Sequence, residues 1–243
     1  MSKTVIITGG AGGIGAATAE LFAKNGYNTV IGYNTSKAEA DALCLRLREQ
    51  GSNVSVFKAD VTDPKEAQNL IDFALKTYGG LDVLVNNAGI AQQKLFTDIT
   101  NEDWDKMIAT DLSSVFYCCR AAVPHFVNKK MGSIVNVSSM WGVTGASCEV
   151  HYSAAKAGVI GLTKALAKEL GPSNIRVNCI APGAVDTKMN KNIDKTVMDD
   201  IAEETPLCRI GTPAEIAESI YFLGNDGGFI TGQILGVNGG LVI

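Results

Sequence analysis

The stretch Thr8-Gly9-Gly10-Ala11-Gly12-Gly13-Ile14-Gly15 constrains this chain more than any other. It follows an apolar, β-branched run, Thr4-Val5-Ile6-Ile7, and precedes a helical pattern at 16–25 and a second apolar run at 29–33. Glycines allow a tight turn and a close approach of the backbone to another group. A strand, such a turn and then a helix together make a cradle for a pyrophosphate, whose charge sits at the amide-lined helix N-terminus. Gly9, Gly12, Gly13, Ile14 and Gly15 are therefore the first candidate binding residues, with a dinucleotide as the expected ligand.

The same alternation runs through the chain. Apolar, β-branched runs at 4–8, 29–33, 53–58, 81–86, 132–138, 175–180 and 233–237 are separated by helical stretches, the pattern of successive βαβ crossovers. The expected fold class is α/β: a Rossmann-like doubly wound parallel sheet. At 243 residues the chain buries roughly 70 to 75% of its unfolded surface, and no stretch has the composition of a linker or tail. One domain is expected over residues 1–243. Ligands on such sheets bind beyond the carboxyl ends of the strands, where Gly9, Asp60, Asn86, Ser139 and Pro182 all fall.

Charge and composition exclude several classes of partner. Lys plus Arg number 21 against 25 for Asp plus Glu, a net charge of -4 that argues against nucleic acid or an anionic membrane. A small-molecule partner is expected. Met1-Ser2-Lys3 leads straight into the first strand without a signal-type or membrane-spanning apolar stretch, so the expectation is a cytoplasmic protein. The six cysteines contain no C-x-x-C and read as small buried hydrophobes. The two histidines, His125 and His151, lack metal-ligand spacing, and no metal site is expected.

A second constellation carries the chemistry. Ser139 ends the apolar run 132–138, and Tyr152 and Lys156 follow on a helical pattern. Four residues apart, the phenol and the ammonium project from one helix face, one turn apart. A phenol with a reference pKa near ~10 is a poor acid or base at neutral pH; a fixed cation beside it favours phenolate and draws the pKa downward. Adjacent strand residues point opposite ways, so only one of Ser138 and Ser139 can face such a site.

Together these motifs resemble the signature of the short-chain dehydrogenase/reductase family. The glycine turn is joined by Asn86-Asn87-Ala88-Gly89 after an apolar strand, by Ser139, Tyr152 and Lys156, by Pro182-Gly183, and by Asn238-Gly239-Gly240 near the end of the chain. Within that family, the overall length and the run from Ile230 to Gly240 are most similar to the 3-oxoacyl-[acyl-carrier-protein] reductases. The resemblance implies hydride transfer between a nicotinamide and a ketone or secondary alcohol. Tyr152 is then the proton donor, Ser139 orients the substrate oxygen, and Lys156 both tunes the phenol and holds the nicotinamide ribose. It also implies cofactor contacts from Asp60, Val61, Asn87, Ala88, Gly89, Pro182, Gly183, Val185 and Thr187. The family's fourth catalytic residue is an asparagine, and Asp111 stands in its place on the helix expected at 104–128. An ionised carboxylate only accepts hydrogen bonds; pairing with Lys156 or with a bound water would keep a proton relay intact.

The end of the second strand, Gly32-Tyr33-Asn34-Thr35-Ser36-Lys37, decides between the two nicotinamide cofactors. No Asp or Glu awaits a ribose 2′-hydroxyl there, and Asn34, Ser36 and Lys37 can donate to a 2′-phosphate, with Tyr33 beside them. Gly12 stands where many NADP-using relatives carry a cation. NADP is the expected cofactor, ahead of NAD. Residues 188–209 read as a helical lid over the substrate, and Met140, Trp141, Val143 and Cys148 as an apolar lining. Lys129-Lys130 offer part of a basic patch for an acidic acyl-carrier protein. Three readings stay open: a 3-oxoacyl thioester reductase, a reductase of another ketone, steroid or sugar alcohol, and a non-catalytic dinucleotide sensor. By family analogy alone the assembly is a homotetramer.

Overall fold

The computed structural model describes residues 2–190 and 194–243. Seven strands form one parallel sheet: β1 (Thr4–Ile7), β2 (Asn28–Tyr33), β3 (Val54–Lys58), β4 (Val83–Asn86), β5 (Gly132–Val137), β6 (Ile175–Pro182) and β7 (Ile234–Val237). Their order is β3-β2-β1-β4-β5-β6-β7. The order reverses between β1 and β4, which opens a crevice at their carboxyl ends. The helices on the two faces are α1 (Gly13–Lys24), α2 (Lys37–Glu49), α3 (Pro64–Tyr78), α4 (Asn101–Ile108), α5 (Ser114–Lys129), α6 (Met140–Thr144), α7 (Val150–Leu170), α8 (Lys195–Glu204) and α9 (Pro213–Tyr221).

Strand alternation sends side chains into two separate cores. Val5, Ile7, Val135 and Val137 pack with Phe22 of α1 and Ile216 and Ile220 of α9. Ile6 and Ile134, their neighbours in sequence, face the other way, against Leu70 of α3, Phe126 of α5 and Val159 of α7. Both faces are covered, which is why the strands read as continuous apolar runs. Helix starts are set locally. Asp63 accepts the Lys65 amide ahead of Pro64, and Thr100–Asp103 and Thr212–Glu215 form reciprocal capping boxes.

Most strands differ from the sequence pattern by one residue at one end and α1 starts at Gly13 rather than 16; three further differences bear on the site or its frame. β4 starts at Val83 rather than 81, because Asp82 turns its carboxylate onto the Thr4 amide (2.7 Å) and Leu81 donates its amide to His125 Nε2 (3.1 Å). β6 runs on to Pro182, which pairs with Val237. The single helix expected at 104–128 is two helices joined by one widened turn, Ala109–Ser113, with Asp111 inside it. Apolar periodicity continues across that turn, so only the hydrogen-bond ladder reveals it.

Candidate active site

A cavity of about 500 Å³ lies beyond the carboxyl ends of the central strands. Ser139, Tyr152, Lys156 and Asp111 all reach it: Tyr152 and Lys156 from α7, Ser139 from the start of α6, and Asp111 from the turn Ala109–Ser113. Ser139 leaves β5 and becomes the N-cap of α6, its oxygen accepting the Trp141 amide at 3.2 Å. Its own proton is thereby left to point elsewhere. The Ser138 hydroxyl is spent on the Lys156 carbonyl at 2.8 Å. Of the two serines, it is Ser139 that lines the cavity with its hydroxyl uncommitted as a donor and lowers the pKa of the Tyr152 phenol.

Lys156 is the hub. Its ammonium donates to the Val137 carbonyl at 3.1 Å, lies 3.1 Å from Asp111 Oδ2, and sits 5.6 Å from the centre of the Tyr152 ring. Asp111 is fully buried, and its Oδ1 accepts the Ile90 amide at 2.9 Å. A Cβ on Gly89 would come within 2.7 Å of Asp111 Oδ2, so the motif Asn86-Asn87-Ala88-Gly89 needs its last glycine to admit the carboxylate. Pairing with Lys156, one of the two alternatives open from the sequence, is what the geometry contains.

The electrostatics correct one expectation. Burial is the largest influence on the Tyr152 phenol and raises its pKa; Lys156 lowers it, and Asp111 raises it again. The net direction is upward, because burial outweighs the pull of Lys156 and the carboxylate beside that cation offsets part of it. Burial also dominates at Lys156, pushing it down, but Asp111 and Tyr152 together outweigh that and hold the ammonium above its ordinary value. Burial lifts the Asp111 carboxyl above the usual range against the pull of Lys156.

The dinucleotide residues divide into two groups. Ile14, Asn87, Gly89, Pro182, Gly183, Val185 and Thr187 line the same cavity. Gly9, Gly12, Gly13, Gly15, Ala88, Tyr33, Asn34, Ser36, Asp60 and Val61 lie outside that lining. β2 and β3 bring Tyr33, Asn34 and Asp60 together: Tyr33 pairs with Lys58, its carbonyl accepts the Ala59 amide, and Asn34 lowers the pKa of the Asp60 carboxyl. Lys37 instead pairs with Asp41 on its own helix.

The glycine turn fits the group expected on it. A Cβ at Gly15 would lie 2.3 Å from the Gly9 carbonyl, and one at Gly9 (φ 62°) would lie 2.9 Å from Ala88 Cα, so the turn must be this compact. Asn87 braces it, donating to the Thr8 and Gly9 carbonyls at 3.0 and 3.1 Å, while Thr8 Oγ1 accepts the Asn87 and Ala88 amides. Above the start of α1 nothing lies within 4 Å of a Cβ placed on Gly12, which leaves an open cradle at the helix N-terminus.

A model of the family described as enoyl-(acyl carrier protein) reductase matches residues 9–242. Proteins named 3-oxoacyl-[acyl-carrier-protein] reductase FabG match over 99% of this chain and 98% of their own length, at 42% identity in Thermotoga maritima and 41% in Chlamydia trachomatis. A Bacillus subtilis protein named uncharacterized oxidoreductase YmfI is 41% identical over 99% of both chains. The chain belongs to the short-chain dehydrogenase/reductase family. As a member it is an oxidoreductase acting on CH–OH or ketone groups with a nicotinamide dinucleotide, which removes the non-catalytic reading.

Other expectations for this reductase are corrected by position. Met140 and Trp141 line the cavity, but Val143 is 54% exposed on the outer side of α6 and Cys148 is outside the lining. Cys148 and the exposed Cys208 are also exceptions to buried cysteine packing. Lys129 pairs with Asp82 just ahead of β4, because α5 runs antiparallel to the strands. Lys129-Lys130 therefore lie, within one chain, at the end of the sheet opposite the cavity. In the segment 188–209, residues 191–193 lie outside the described residues; Met189, Asn190, Met198 and Ile201 line the cavity. Gln92, Gln93 and Glu149 also line it. Sequence reading missed all three, since amides and a carboxylate at such positions look like ordinary loop surface. No helix among the described residues is long and apolar enough to cross a membrane.

Proposed function

We propose that this chain is a cytoplasmic, NADPH-dependent 3-oxoacyl thioester reductase, in which Tyr152, Ser139, Lys156 and Asp111 work on one carbonyl. The observation that carries the reading is the meeting of phenol, hydroxyl and paired ammonium in a single cavity beside the dinucleotide turn. When bound, the reduced nicotinamide supplies a hydride to the ketone carbon. Gly12 and Gly13 at the start of α1 would hold the pyrophosphate, with Thr187, Val185 and Pro182-Gly183 along the nicotinamide side. Asn34 and Ser36, both exposed where β2 ends, would meet a 2′-phosphate, and no carboxylate between Gly32 and Lys37 would repel it.

The rest follows from the chain's own groups. Ser139 donates its free proton to the ketone oxygen and orients it. Tyr152 gives its proton to that oxygen as it becomes an alkoxide, so the ketone leaves as a secondary alcohol. A phenol raised above its ordinary pKa stays protonated at neutral pH, the form that has a proton to give to the developing alkoxide. The Lys156 ammonium stabilises the phenolate left behind, and Asp111 keeps that ammonium charged. The segment 188–209, whose Met189, Met198 and Ile201 line the cavity, acts as the lid.

The test follows NADPH oxidation with an acetoacetyl thioester, a crotonyl thioester, cyclic ketones, a steroid ketone and sugars. The acetoacetyl thioester is expected to have the highest kcat/KM, with NADPH at least tenfold better than NADH. Tyr152→Phe should lower kcat on it by about 10²–10⁴-fold while NADPH still binds. Greater efficiency with any other substrate class, or near-normal turnover by the variant, would refute this assignment.

A further inference from the structure

The cavity has a second polar group that the reaction does not use. Glu149 precedes α7, three residues before Tyr152, and lines the same space at 9% exposure. Among the described residues its side chain accepts one hydrogen bond, from Gln93 Nε2 at 3.2 Å, and forms no ion pair. The neighbouring amide is turned to other partners: Gln92 accepts from His151 Nε2 through Oε1 (2.9 Å) and donates to Asp103 through Nε2 (2.9 Å). Asn190, across the cavity, turns its amide nitrogen to the Val185 carbonyl at 2.8 Å. No other hydrogen bond among the described residues reaches the Glu149 carboxylate, which keeps free lone pairs beside the Gln93 carbonyl oxygen.

The geometry points to Glu149 as a specificity residue that accepts a hydrogen bond from an N–H or O–H donor on the substrate, a few atoms from the reacting ketone. The proposal rests on the reductase reading above and narrows its substrates. A purely aliphatic chain laid along this wall would bury the carboxylate without a second partner, which is unfavourable for a group already removed from water. A donor on the ligand supplies that partner. Burial already lifts the Glu149 carboxyl above its ordinary range against the single Gln93 bond, the direction expected of an under-satisfied acid. Its charge also raises the Tyr152 phenol, so the two groups share one field, and a donor bound to Glu149 acts close to the proton transfer. Met140, Trp141 and Met198 supply the apolar remainder of the wall.

Two sources of the donor fit: an amide N–H on the thiol arm of a thioester, or a hydroxyl on the acyl side. Three substrates separate them: the S-ethyl thioester of acetoacetate, which has neither; its N-acetylcysteamine thioester, which carries the arm N–H; and the S-ethyl thioester of 4-hydroxy-3-oxobutanoate, which carries the acyl hydroxyl. The expected result is at least a tenfold gain in kcat/KM, mainly through KM, for one donor-bearing substrate over the S-ethyl acetoacetyl thioester. In Glu149→Leu that gain should shrink to within twofold. Glu149→Gln, which keeps one acceptor oxygen in the same shape, should retain part of it and serves if the leucine variant does not fold. Tm and NADPH binding confirm that each variant is intact. If neither donor gives a gain, or the gain survives in both variants, the proposal is overturned while the reductase reading stands. If none of the three thioesters is reduced, the reductase reading fails and this proposal falls with it.

Discussion

Asp111 is the residue at which this chain parts from its family's pattern, and its surroundings say why an acid is tolerated. Fully buried, it has a cation at 3.1 Å on one oxygen and a backbone amide at 2.9 Å on the other. A buried carboxylate is far costlier when such partners are missing. The same pairing raises both Lys156 and the Tyr152 phenol. Asp111→Asn removes the negative charge, so the phenol loses an influence that raises its pKa, and the ammonium loses its main counter-charge. The base limb of alcohol oxidation, which needs phenolate, should accordingly move to lower pH. A kcat–pH profile for the oxidation direction that overlays the wild type would show that this carboxylate does not tune the chemistry. Because the two groups titrate together, the profile reports the pair rather than either alone.

At the scale of elements, helix ends and one irregular turn hold the site in place. The widened turn Ala109–Ser113 between α4 and α5 carries Asp111 against Lys156 on α7. Such turns occur where a regular helix would aim a side chain wrongly. α9 has no part in the chemistry, yet it packs against α1, whose first turn forms the dinucleotide cradle. Its start depends on Thr212, which accepts the Glu215 amide while the Glu215 carboxylate accepts the Thr212 amide at 2.8 Å. Thr212→Ala should cost about 1 kcal/mol and lower Tm by about 2–4 °C, with Thr212→Ser close to wild type. Thermal melts of the three proteins check this, and an unchanged alanine variant would mean that the cap contributes nothing to global stability.

At the scale of the whole molecule, two surfaces remain apolar. Trp104 and Phe116 on α4 and α5 are 41% and 43% exposed, with the Arg120 guanidinium 5.4 Å above the Phe116 ring. Phe229 and Ile243, near the edge strand β7, are wholly exposed. We propose that these two faces are covered by other copies of the chain, as the homotetramer expected by family analogy requires. Light scattering should therefore report a mass near that of four 25.6 kDa chains. Phe116→Glu should reduce it to that of a smaller species. A monomeric wild type would refute the assembly.

The order of strands and helices, the glycine cradle and the set Ser139, Tyr152 and Lys156 were legible from the residues alone. Each rests on a local rule: β-branched runs between helical periods, glycine where backbones must touch, and four-residue spacing on one helix face. The direction of the Tyr152 pKa, the place of Lys129-Lys130 and the position of Glu149 in the cavity wall were not legible in that way. They depend on which groups from distant parts of the chain become neighbours and on how much water is excluded between them. Local spacing sets what a side chain can reach along its own element; burial and counter-charges are decided only when the sheet brings β4, β5, α5 and α7 to one end.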